Sequence, residues 1–538
     1  MVSLAPEVES SRGVVAAWPP EASQIGADVI AAGGNAMDAA AAAALGCCMT
    51  RPEMTGIGGY MLSAVVLDAK TDQVLALDSS SRAPRAAHAE MFEITERVTG
   101  RSGINEDEYL CTVADDANLF GGQSIGTPGV IGGVGALWER WGSVPWSEVV
   151  QPAIDLVERG VRYSEFTAHW LKQMQPVLKR YPDTAAVLMP EGRLPDSGDI
   201  WNRPDMATTL TRISENGWRE AYTGDLGEMT VAAVRADGGL LTMTDMESFE
   251  PTISVPYSTT FRDATIYGPP LPNGCITSLQ VLNLLDALDV TGDESAEYWH
   301  VMAEVLKIAW RDRLATLADP EFVDVDIDRI LSHADAVART EDLKRNRLGV
   351  DPSPLEPTSS NHGTLHLSTA DAAGNVVALT LTHGATFGSC LSVPGTGMIL
   401  GHGMSRLDPR PGRPNSIAGG KRPLNNVAPM ITRMLDRDVA SGLPGGRRIV
   451  SVGAQLAQRL VDFDATPSEA VRAPRMHVTH SHVEVSDTID SSVVAELKAL
   501  GHEVSVVADV GGSAHIAEFD RRSATVRGAG TKGMAARV

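Results

Sequence analysis

Cysteine is scarce in this sequence. Five residues of this type, Cys47, Cys48, Cys111, Cys275 and Cys390, are scattered over 538 positions. They form no Cys-x-x-Cys pair and show no Cys/His spacing of the kind that zinc sites use. The scatter excludes a disulfide framework as the basis of the fold and predicts buried free thiols.

Positive charge is also in deficit. The chain carries 45 Lys and Arg against 68 Asp and Glu, which gives a formal net charge of −23. Nucleic-acid binding requires clustered basic residues, and an anionic membrane surface attracts basic rather than acidic segments. We therefore expect no nucleic-acid partner and no membrane partner.

Long hydrophobic runs are missing as well. The longest, from Ala39 to Met49, is about half of the roughly 20 residues that a membrane-spanning helix needs. The first residues carry Glu7 and Glu9 and lack the basic segment and apolar core of a secretory signal peptide. The sequence therefore predicts a soluble, cytoplasmic protein.

Several familiar motifs are absent. The sequence has no Gly-x-Ser-x-Gly nucleophile elbow and no His-Glu-x-x-His metal motif. The glycine-rich stretches at 56–59 and 419–422 lack the other residues of a dinucleotide fingerprint or a phosphate-binding loop. The 13 histidines show no ligand spacing, and we interpret His300 as a packing or hydrogen-bonding residue.

Strong hydrophobic periodicity is present. It predicts a helix, a turn at 33–34, and a second, Ala-rich helix that begins near Asn35 or Asp38, either of which can serve as its N-cap. Two apolar runs around residues 69–73 predict a strand hairpin. Residues 161–260 are predicted to be mainly helical, and 296–320 to form an amphipathic helix.

The chain changes character between residues 337 and 363. This stretch is polar and aperiodic, which predicts a flexible linker. From Thr364 the pattern switches to period two and predicts a β-hairpin that turns at 372–375. Thr382, 18 residues after Thr364, then lies on the return strand of that hairpin.

The junction of linker and strand carries a possible nucleophile. If the chain is cut between Gly363 and Thr364, Thr364 gains a free α-amine beside its own hydroxyl. Such an amine has a pKa of about 7.7–8.0, so its neutral fraction at pH 7 can act as a base for that hydroxyl. Gly363 suits the cut because it leaves the carbonyl unshielded and permits strained backbone angles. A strand that begins with Thr is common, so this spacing alone is a weak signal.

The wider sequence resembles the γ-glutamyltransferase (γ-glutamyltranspeptidase) family from about residue 12 to the C-terminus. The matching segments, in chain order, are GVVAA, EASQIGADVIAAGGNAMDAA, RPEMTGIGGYML, SIGTPGVIGG, VPWSEVVQPAIDLVERG, GPPLPNGCITSLQVLNLL, AEVLKIAWRDRLATLADPEF, TLHLSTADAAGNVVALTLTHGATFGS, KRPLNNVAPMI and GGSAHI. Each segment is short, but their number and order make the resemblance specific.

The resemblance implies an α+β fold, the four-layer αββα sandwich of N-terminal-nucleophile (Ntn) hydrolases. It implies self-cleavage between Gly363 and Thr364 into a large chain, 1–363, and a small chain, 364–538, which make one intertwined domain. Thr364 falls on the family's nucleophile, and Thr382 on a second threonine whose hydroxyl contacts it. No metal and no organic cofactor are implied. The two cleaved chains are expected as a heterodimer, with further dimerisation left open.

The sequence departs from the family where the amino acid of a γ-glutamyl donor is held. Ser80 stands where transpeptidases have an arginine for the α-carboxylate, and the nearest arginine is Arg82. Ser405 and Arg406 stand where acidic residues pair with the α-ammonium. An unpaired buried ammonium costs several kcal/mol, so we expect weak use of γ-glutamyl donors. Arg82, Ser405 and Arg406 are predicted to line a changed substrate pocket.

Two further motifs of the family are altered. A Ser-Ser pair that hydrogen-bonds the carboxylate corresponds to Asn425 and Asn426, which we predict to bind substrate. The family's Pro-Gly-Gly oxyanion loop is interpreted as replaced by GAQLAQ, with Leu456 and Ala457 at the glycine positions. Backbone amides there would still provide an oxyanion hole, because no side chain is needed for it.

The leading hypothesis is a self-processed Thr hydrolase that forms an acyl-enzyme with a small-molecule, amide-type substrate. One alternative is a C–C bond hydrolase in antibiotic biosynthesis, in the alkylproline branch of lincosamide or pyrrolobenzodiazepine pathways, whose cytosolic members also have an altered glutamate clamp. Another is a glutathione γ-glutamyl hydrolase or transpeptidase with a relocated clamp of Arg82 or Arg85 and Asp408. A non-enzymatic binding module is a third, against which the retained Thr364 and Thr382 argue.

Overall fold

The computed structural model describes residues 7–96, 111–288, 290, 294–346, 363–479, 482–531 and 535–538. The strands are β1 Val8–Ser10, β2 Gly13–Ala17, β3 Met61–Asp68, β4 Gln73–Ser80, β5 Ile94–Glu96, β6 Thr112–Val113, β7 Val161–Arg162, β8 Ile200–Trp201, β9 Thr252–Ser254, β10 Tyr257–Phe261, β11 Ala264–Gly268, β12 Thr364–Asp371, β13 Val376–Thr382, β14 Ser392–Val393, β15 Met398–Ile399, β16 Met430–Arg433, β17 Arg437–Gly442, β18 Met476–Thr479, β19 His482–Ser486, β20 Glu503–Val507, β21 His515–Asp520, β22 Thr525–Gly530 and β23 Ala535–Arg537.

Helices alternate with these strands along the chain. They are α1 Pro20–Ala31, α2 Ala36–Thr50, α3 Val130–Trp141, α4 Trp146–Glu158, α5 Glu165–Leu178, α6 Pro182–Leu188, α7 Pro204–Asn216, α8 Glu220–Thr223, α9 Asp225–Ala236, α10 Met243–Glu247, α11 Cys275–Leu288, α12 Ala296–Thr316, α13 Ile327–Ile330, α14 His333–Asn346, α15 Arg448–Asp462, α16 Pro467–Arg472 and α17 Ser491–Ala499.

Two antiparallel sheets of seven strands form the centre of the molecule. One has the order β1-β22-β21-β17-β16-β11-β10, and the other has the order β23-β2-β12-β13-β3-β4-β9. Each sheet combines strands from before and after the Gly363–Thr364 bond. Residues on either side of that bond therefore pair with each other within one sheet.

The buried residues divide into layers. A cluster that includes Val65, Val376, Ile431 and Ala517 draws on strands of both sheets, so the sheets pack face to face. A second cluster joins the β12-containing sheet to helices α1–α9, and a third joins the other sheet to α11, α12 and α15. This helix–sheet–sheet–helix order confirms the predicted four-layer αββα sandwich.

Helix α2 packs directly under the hairpin that Thr364 opens. All of its 15 residues are buried, because small alanine side chains let the helix approach the sheet closely. Asn35 is its N-cap and forms a capping box with Asp38, so both residues suggested by the sequence define the start. Within the described ranges, no helix is long and apolar enough to cross a membrane.

The predicted hairpin and linker have different outcomes. Strands β12 and β13 pair in register from Thr364–Thr382 to Ala370–Val376, which confirms the hairpin and its turn at 372–375. The prediction of a linker from residue 337 is wrong at its start, because α14 continues to Asn346. This helix packs on the core through few apolar residues, so composition alone missed its weak periodicity. Residues 347–362 lie outside the described ranges.

Several histidines are fully buried around the two sheets. Burial lowers the pKa of His383, His402 and His515 to about 3. An imidazolium ion loses its hydration in such a site, so the neutral ring is the favoured form.

We predict that these histidines make the folded chain acid-sensitive. Their pKa values in the fold lie below the unfolded value of about 6.5, so only the unfolded chain binds protons as the pH falls below 6.5. The stabilisation that comes from burying these histidines in the neutral form is therefore fully present above pH 6.5. It decreases toward pH 3, by up to about 1.4 kcal/mol per pH unit for each histidine. Urea unfolding between pH 7.5 and 4.5 measures this slope.

An unfolding midpoint that is constant between pH 7 and 5 would contradict the prediction.

Candidate active site

The sheet register places Thr364 at the end of a row of residues that crosses four strands. Thr364 pairs with Thr382 of β13, Thr382 pairs with Met61 of β3, and Met61 pairs with Ser80 of β4. Neighbouring strands lie ~4.8 Å apart, so Ser80 is ~14 Å from Thr364 along this row. A substrate that reaches from Thr364 toward Ser80 would therefore lie across the end of the sheet.

Thr364 and Thr382 are in contact through their hydroxyl groups. The two Oγ1 atoms are 3.0 Å apart, and both side chains are buried, at 7% and 1% exposure. The backbone N–H of Gly384 donates to Thr382 Oγ1 at 2.7 Å. The contact between the two threonines, predicted from the resemblance, is thus present in the uncut chain.

Gly363 presents its carbonyl oxygen to two donors. Thr382 Oγ1 donates to it in a short hydrogen bond, and the N–H of His383 donates to it at 3.1 Å. A hydroxyl has one proton, so if Thr382 donates to Gly363, Thr364 must be the donor to Thr382. The proton of Thr364 therefore points toward Thr382, and the Gly363 carbonyl is polarised by hydrogen bonds.

The need for glycine at 363 has a different cause from the one predicted. Gly363 does not have a positive φ, so strained backbone angles are not the reason. A Cβ atom at this position would lie 2.4 Å from the Cα and carbonyl carbon of Ala385. Only glycine allows the two backbone segments to approach this closely.

Ser405 and Arg406 lie beside the same threonine pair. Nη2 of Arg406 donates to the carbonyl oxygen of Gly384 in a short hydrogen bond. Ser405 Oγ donates to the carbonyl oxygen of His402 at 2.9 Å, and the His402 ring lies against Gly384. A buried guanidinium, in place of the family's carboxylate, is therefore bonded to the backbone two residues after Thr382.

The residues of the alternative, relocated clamp are engaged elsewhere. Arg82 makes two hydrogen bonds of 2.9 Å to the carboxylate of Glu321. Both oxygens of Asp408 accept from Arg410 at 2.9 Å. The remaining candidate, Arg85, is largely exposed and lies near Asp245. The charged side chains that this clamp would need for an amino acid's ammonium and carboxylate are thus already paired with other residues of the protein.

Asn425 and Asn426 follow a loop that packs on the row of site residues. Val427, next in the chain, is in one apolar cluster with Tyr60 and Met61. Asn426 Oδ1 accepts from the buried Arg313 at 2.8 Å, and Asn425 Oδ1 accepts from the N–H of Val427. The side-chain Nδ2 of Asn425 has no hydrogen-bond partner among the residues that the structure describes. This amide is buried, since Asn425 is 2% exposed.

The predicted oxyanion position at Leu456 and Ala457 is wrong. Both residues are buried in the interior of α15, where backbone N–H groups donate to carbonyls four residues earlier in the helix. Such amides cannot also stabilise an oxyanion.

The sequence does contain a Pro-Gly-Gly segment, at 444–446, which the match to GAQLAQ overlooked. It lies between β17 and α15, and Gly445 and Gly446 have φ of +141° and +58°. Gly442, two residues earlier, lies against the ring of His366, which follows Thr364 by two residues on β12. Residues on one strand two apart share a face, so this segment approaches the side of β12 that carries Thr364.

An ion-pair network supports the other side of the site. Arg422 contacts Asp319 at 2.7 Å and Asp78, in β4, at 3.0 Å. The backbone N–H of Arg422 also donates to Asp319, at 2.9 Å. These contacts connect the end of β4, the segment after α12 and the loop that leads to Asn425.

A separate cluster of His300, Glu304 and His502 has the spacing of a metal site, with ligand atoms within 4.8 Å of one another. A cation of the protein already occupies it, because Lys307 Nζ lies 2.7 Å from Glu304 and 3.3 Å from His502 Nδ1. Nδ1 of His300 and Nε2 of His502 are 2.7 Å apart. We interpret the cluster as a hydrogen-bonded network, in line with the reading of His300 from the sequence.

Comparisons with known proteins identify the family of the chain. Residues 22–533 match the family model described as gamma-glutamyltranspeptidase. The chain is 35% identical to the acylase ACY 1 proenzyme of Pseudomonas sp. (strain SE83), over 92% of this chain and 87% of the relative. It is 31% identical to the glutathione hydrolase proenzyme of Escherichia coli (strain K12), over 87% and 81%. The crystal structure of cephalosporin acylase from Bacillus halodurans superposes with a TM-score of 0.89 at 26% identity, over 100% and 97%.

We predict that Asp319→Asn destabilises the chain by about 3 kcal/mol, because it leaves the buried Arg422 without a full partner. Glu321→Gln is the matched control. Glu321 is 49% exposed, so its ion pairs with Arg82 and Arg422 should contribute less than about 1 kcal/mol. Urea unfolding midpoints of the two variants measure the difference, and equal midpoints would contradict the account of this network.

Proposed function

Because the chain belongs to the gamma-glutamyltranspeptidase family of Ntn hydrolases, we propose that it is a self-processed threonine acylase. In this proposal it cuts itself between Gly363 and Thr364, forming a heterodimer of residues 1–363 and 364–538. Thr364 then hydrolyses acyl amides that carry no α-ammonium group. The observation that supports the proposal most is the hydrogen-bonded arrangement of Thr364, Thr382 and the Gly363 carbonyl.

Self-cleavage begins with attack by Thr364 Oγ1 on the carbonyl carbon of Gly363. The hydroxyl proton of Thr364 passes to Thr382 Oγ1, and the proton of Thr382 passes to the Gly363 oxygen. The C–N bond then breaks, the nitrogen takes a proton, and an ester joins Gly363 to Thr364 Oγ1. Water hydrolyses this ester and leaves a carboxylate on Gly363 and a free amine and hydroxyl on Thr364.

Turnover of substrate uses the same hydroxyl with a different base. The new α-amine of Thr364 has a pKa of about 7.7–8.0, so it can accept the hydroxyl proton at neutral pH. Attack on an amide carbonyl forms an acyl-enzyme and expels the amine, which takes the proton. Water then attacks the acyl-enzyme in the second half of the reaction.

The backbone N–H groups of Gly445 and Gly446 are our candidates for the oxyanion hole. They precede α15, outside its internal ladder of hydrogen bonds, and a helix N-terminus favours negative charge. Two amides aimed at a developing oxyanion are worth roughly 10²–10³-fold each in kcat.

Charge near the nucleophile limits the acyl group. A γ-glutamyl donor brings an ammonium, which Arg406 repels and which finds no free carboxylate at Asp408. A neutral or carboxylate-bearing acyl chain avoids this cost, because it brings no positive charge near Arg406. Two relatives are named as acylases, which agrees with this choice.

No feature among the described site residues distinguishes an amide bond from a C–C bond next to a carbonyl. The alternative of C–C cleavage in antibiotic biosynthesis therefore stays a prediction from the sequence.

We expect two bands on a denaturing gel of the purified protein. Scaling the 57.0 kDa chain by residue number gives about 38 kDa for residues 1–363 and about 19 kDa for residues 364–538. Thr364→Ala should stay uncut because it lacks the attacking hydroxyl, whereas Thr364→Ser, which keeps one, should still be cut. A wild-type chain that stays intact but hydrolyses substrates through Thr364 would contradict the processing step.

The choice of donor can be tested with two substrates that differ only in the α-amino group. We expect glutaryl-p-nitroanilide to be hydrolysed with a kcat/KM at least ~100-fold above that of γ-glutamyl-p-nitroanilide, since an unpaired buried charge costs several kcal/mol. Release of p-nitroaniline measures both rates. Equal rates, or a preference for the γ-glutamyl compound, would show that the pocket still holds an amino acid.

A further inference from the structure

Gly384 lies between Arg406 and the threonine pair. Its carbonyl oxygen accepts from Arg406 Nη2, and its N–H donates to Thr382 Oγ1 at 2.7 Å. Thr382 Oγ1 is in turn 3.0 Å from the hydroxyl oxygen of Thr364. Gly384 thus bonds the guanidinium through its carbonyl and the Thr382 hydroxyl through its N–H.

Glycine at this position is required by its surroundings and would be mobile without support. Gly384 has a φ of +98°, and a Cβ atom there would lie 2.4 Å from Cδ2 of His402. Glycine also has the largest conformational freedom of any residue, so its N–H is not held in place by its own backbone preferences. The hydrogen bond from Arg406 supplies that restraint from the carbonyl side.

Arg406 is itself held firmly. Its carbonyl oxygen accepts from Asn415 Nδ2 at 2.7 Å, and the residue is 5% exposed. Oγ of the preceding Ser405 donates to the carbonyl oxygen of His402, so the turn from residue 402 to residue 405 is also held. The backbone from which the guanidinium reaches Gly384 is therefore held in place.

We propose that Arg406 is a positioning residue for the nucleophile: by holding Gly384, it keeps the Thr382 hydroxyl in contact with Thr364 Oγ1. Thr382 then accepts the proton of Thr364 in self-cleavage, and in turnover, where the α-amine is the base, it holds the Thr364 oxygen in position. The inference rests on the proposed function, because it assigns a role within the Thr364 reaction. A hydroxyl rotates freely about its C–O bond unless its partners fix it. With the Gly384 N–H in place, one lone pair of Thr382 Oγ1 is occupied and the other faces Thr364.

This role differs from that of a clamp for the substrate. A clamp acts only on acyl groups that carry a charge or a hydrogen-bond acceptor, whereas a positioning residue affects every acyl group. The acetyl group of p-nitrophenyl acetate has no charge and ends one methyl group beyond its carbonyl carbon. Hydrolysis of this ester therefore reports on the nucleophile independently of any clamp.

The test is the steady-state hydrolysis of p-nitrophenyl acetate by the wild type, Arg406→Met and Arg406→Lys, with rates divided by the fraction of cut chain. We expect Arg406→Met to lower kcat by roughly 10²-fold with little change in KM, as for an ~1 Å misplacement of reacting groups. Arg406→Lys should recover at least part of the loss, since an ammonium can still donate to the Gly384 carbonyl. Arg413→Met, at an exposed arginine of the same segment, is the matched control and should keep the wild-type kcat.

The outcomes separate the inference from the proposed function. Retention of the wild-type kcat by Arg406→Met would overturn the positioning role, even if glutaryl-p-nitroanilide hydrolysis were lost. A folded Arg406→Met chain that remains uncut would support it, because cutting uses the same Thr364–Thr382 contact; a melting temperature equal to that of the wild type establishes folding. Wild-type rates in Thr364→Ala would instead refute the proposed function.

A second variant decides the question if Arg406→Met does not fold. Arg406→Gln keeps a polar side chain, but its amide is too short to reach the Gly384 carbonyl from the same backbone position. A kcat for p-nitrophenyl acetate that falls as expected for Arg406→Met would support the positioning role. A wild-type kcat in Arg406→Gln would overturn it.

Discussion

The pairing register of β12 with β13 is the constraint on which the site depends. It sets Thr364 opposite Thr382 and continues through Met61 to Ser80. A slip of one residue would turn the side chains of one strand to the opposite face and separate the two hydroxyls. The register is held because β12 and β13 are buried on both faces, by α2 on one side and by the second sheet on the other.

Charge determines what this machinery can act on. The groups that could recognise an amino acid are bound within the protein: Arg82 to Glu321, and Asp408 to Arg410. The guanidinium of Arg406, close to the threonine pair, donates a hydrogen bond to the carbonyl oxygen of Gly384. In the proposed function, the family's nucleophile is thus combined with a pocket whose charges are paired differently, so the reaction type is kept while the acyl group changes.

Local patterns in the sequence predicted much of the fold and the centre of the site. The period-two run after residue 363 and the capping signals at Asn35 and Asp38 are local, so they appear in the structure as expected. The roles of Gly384 and His402 could not be predicted, because they arise from contacts between distant segments. Gly445 and Gly446 were readable as a Pro-Gly-Gly segment, and only a wrong match to residues 456–457 concealed them. The helix at 333–346 was missed because its apolar residues are few.

The most direct test of Thr364 as nucleophile is to trap the acyl-enzyme. The cut protein would be mixed with the p-nitrophenyl ester of glutaric acid, quenched in acid within the first turnover, and analysed by mass spectrometry of the intact chains and their peptides. We predict one glutaryl group on the chain that begins at residue 364, located on Thr364 itself. Acylation of a different residue, or turnover without any acylated chain, would contradict it.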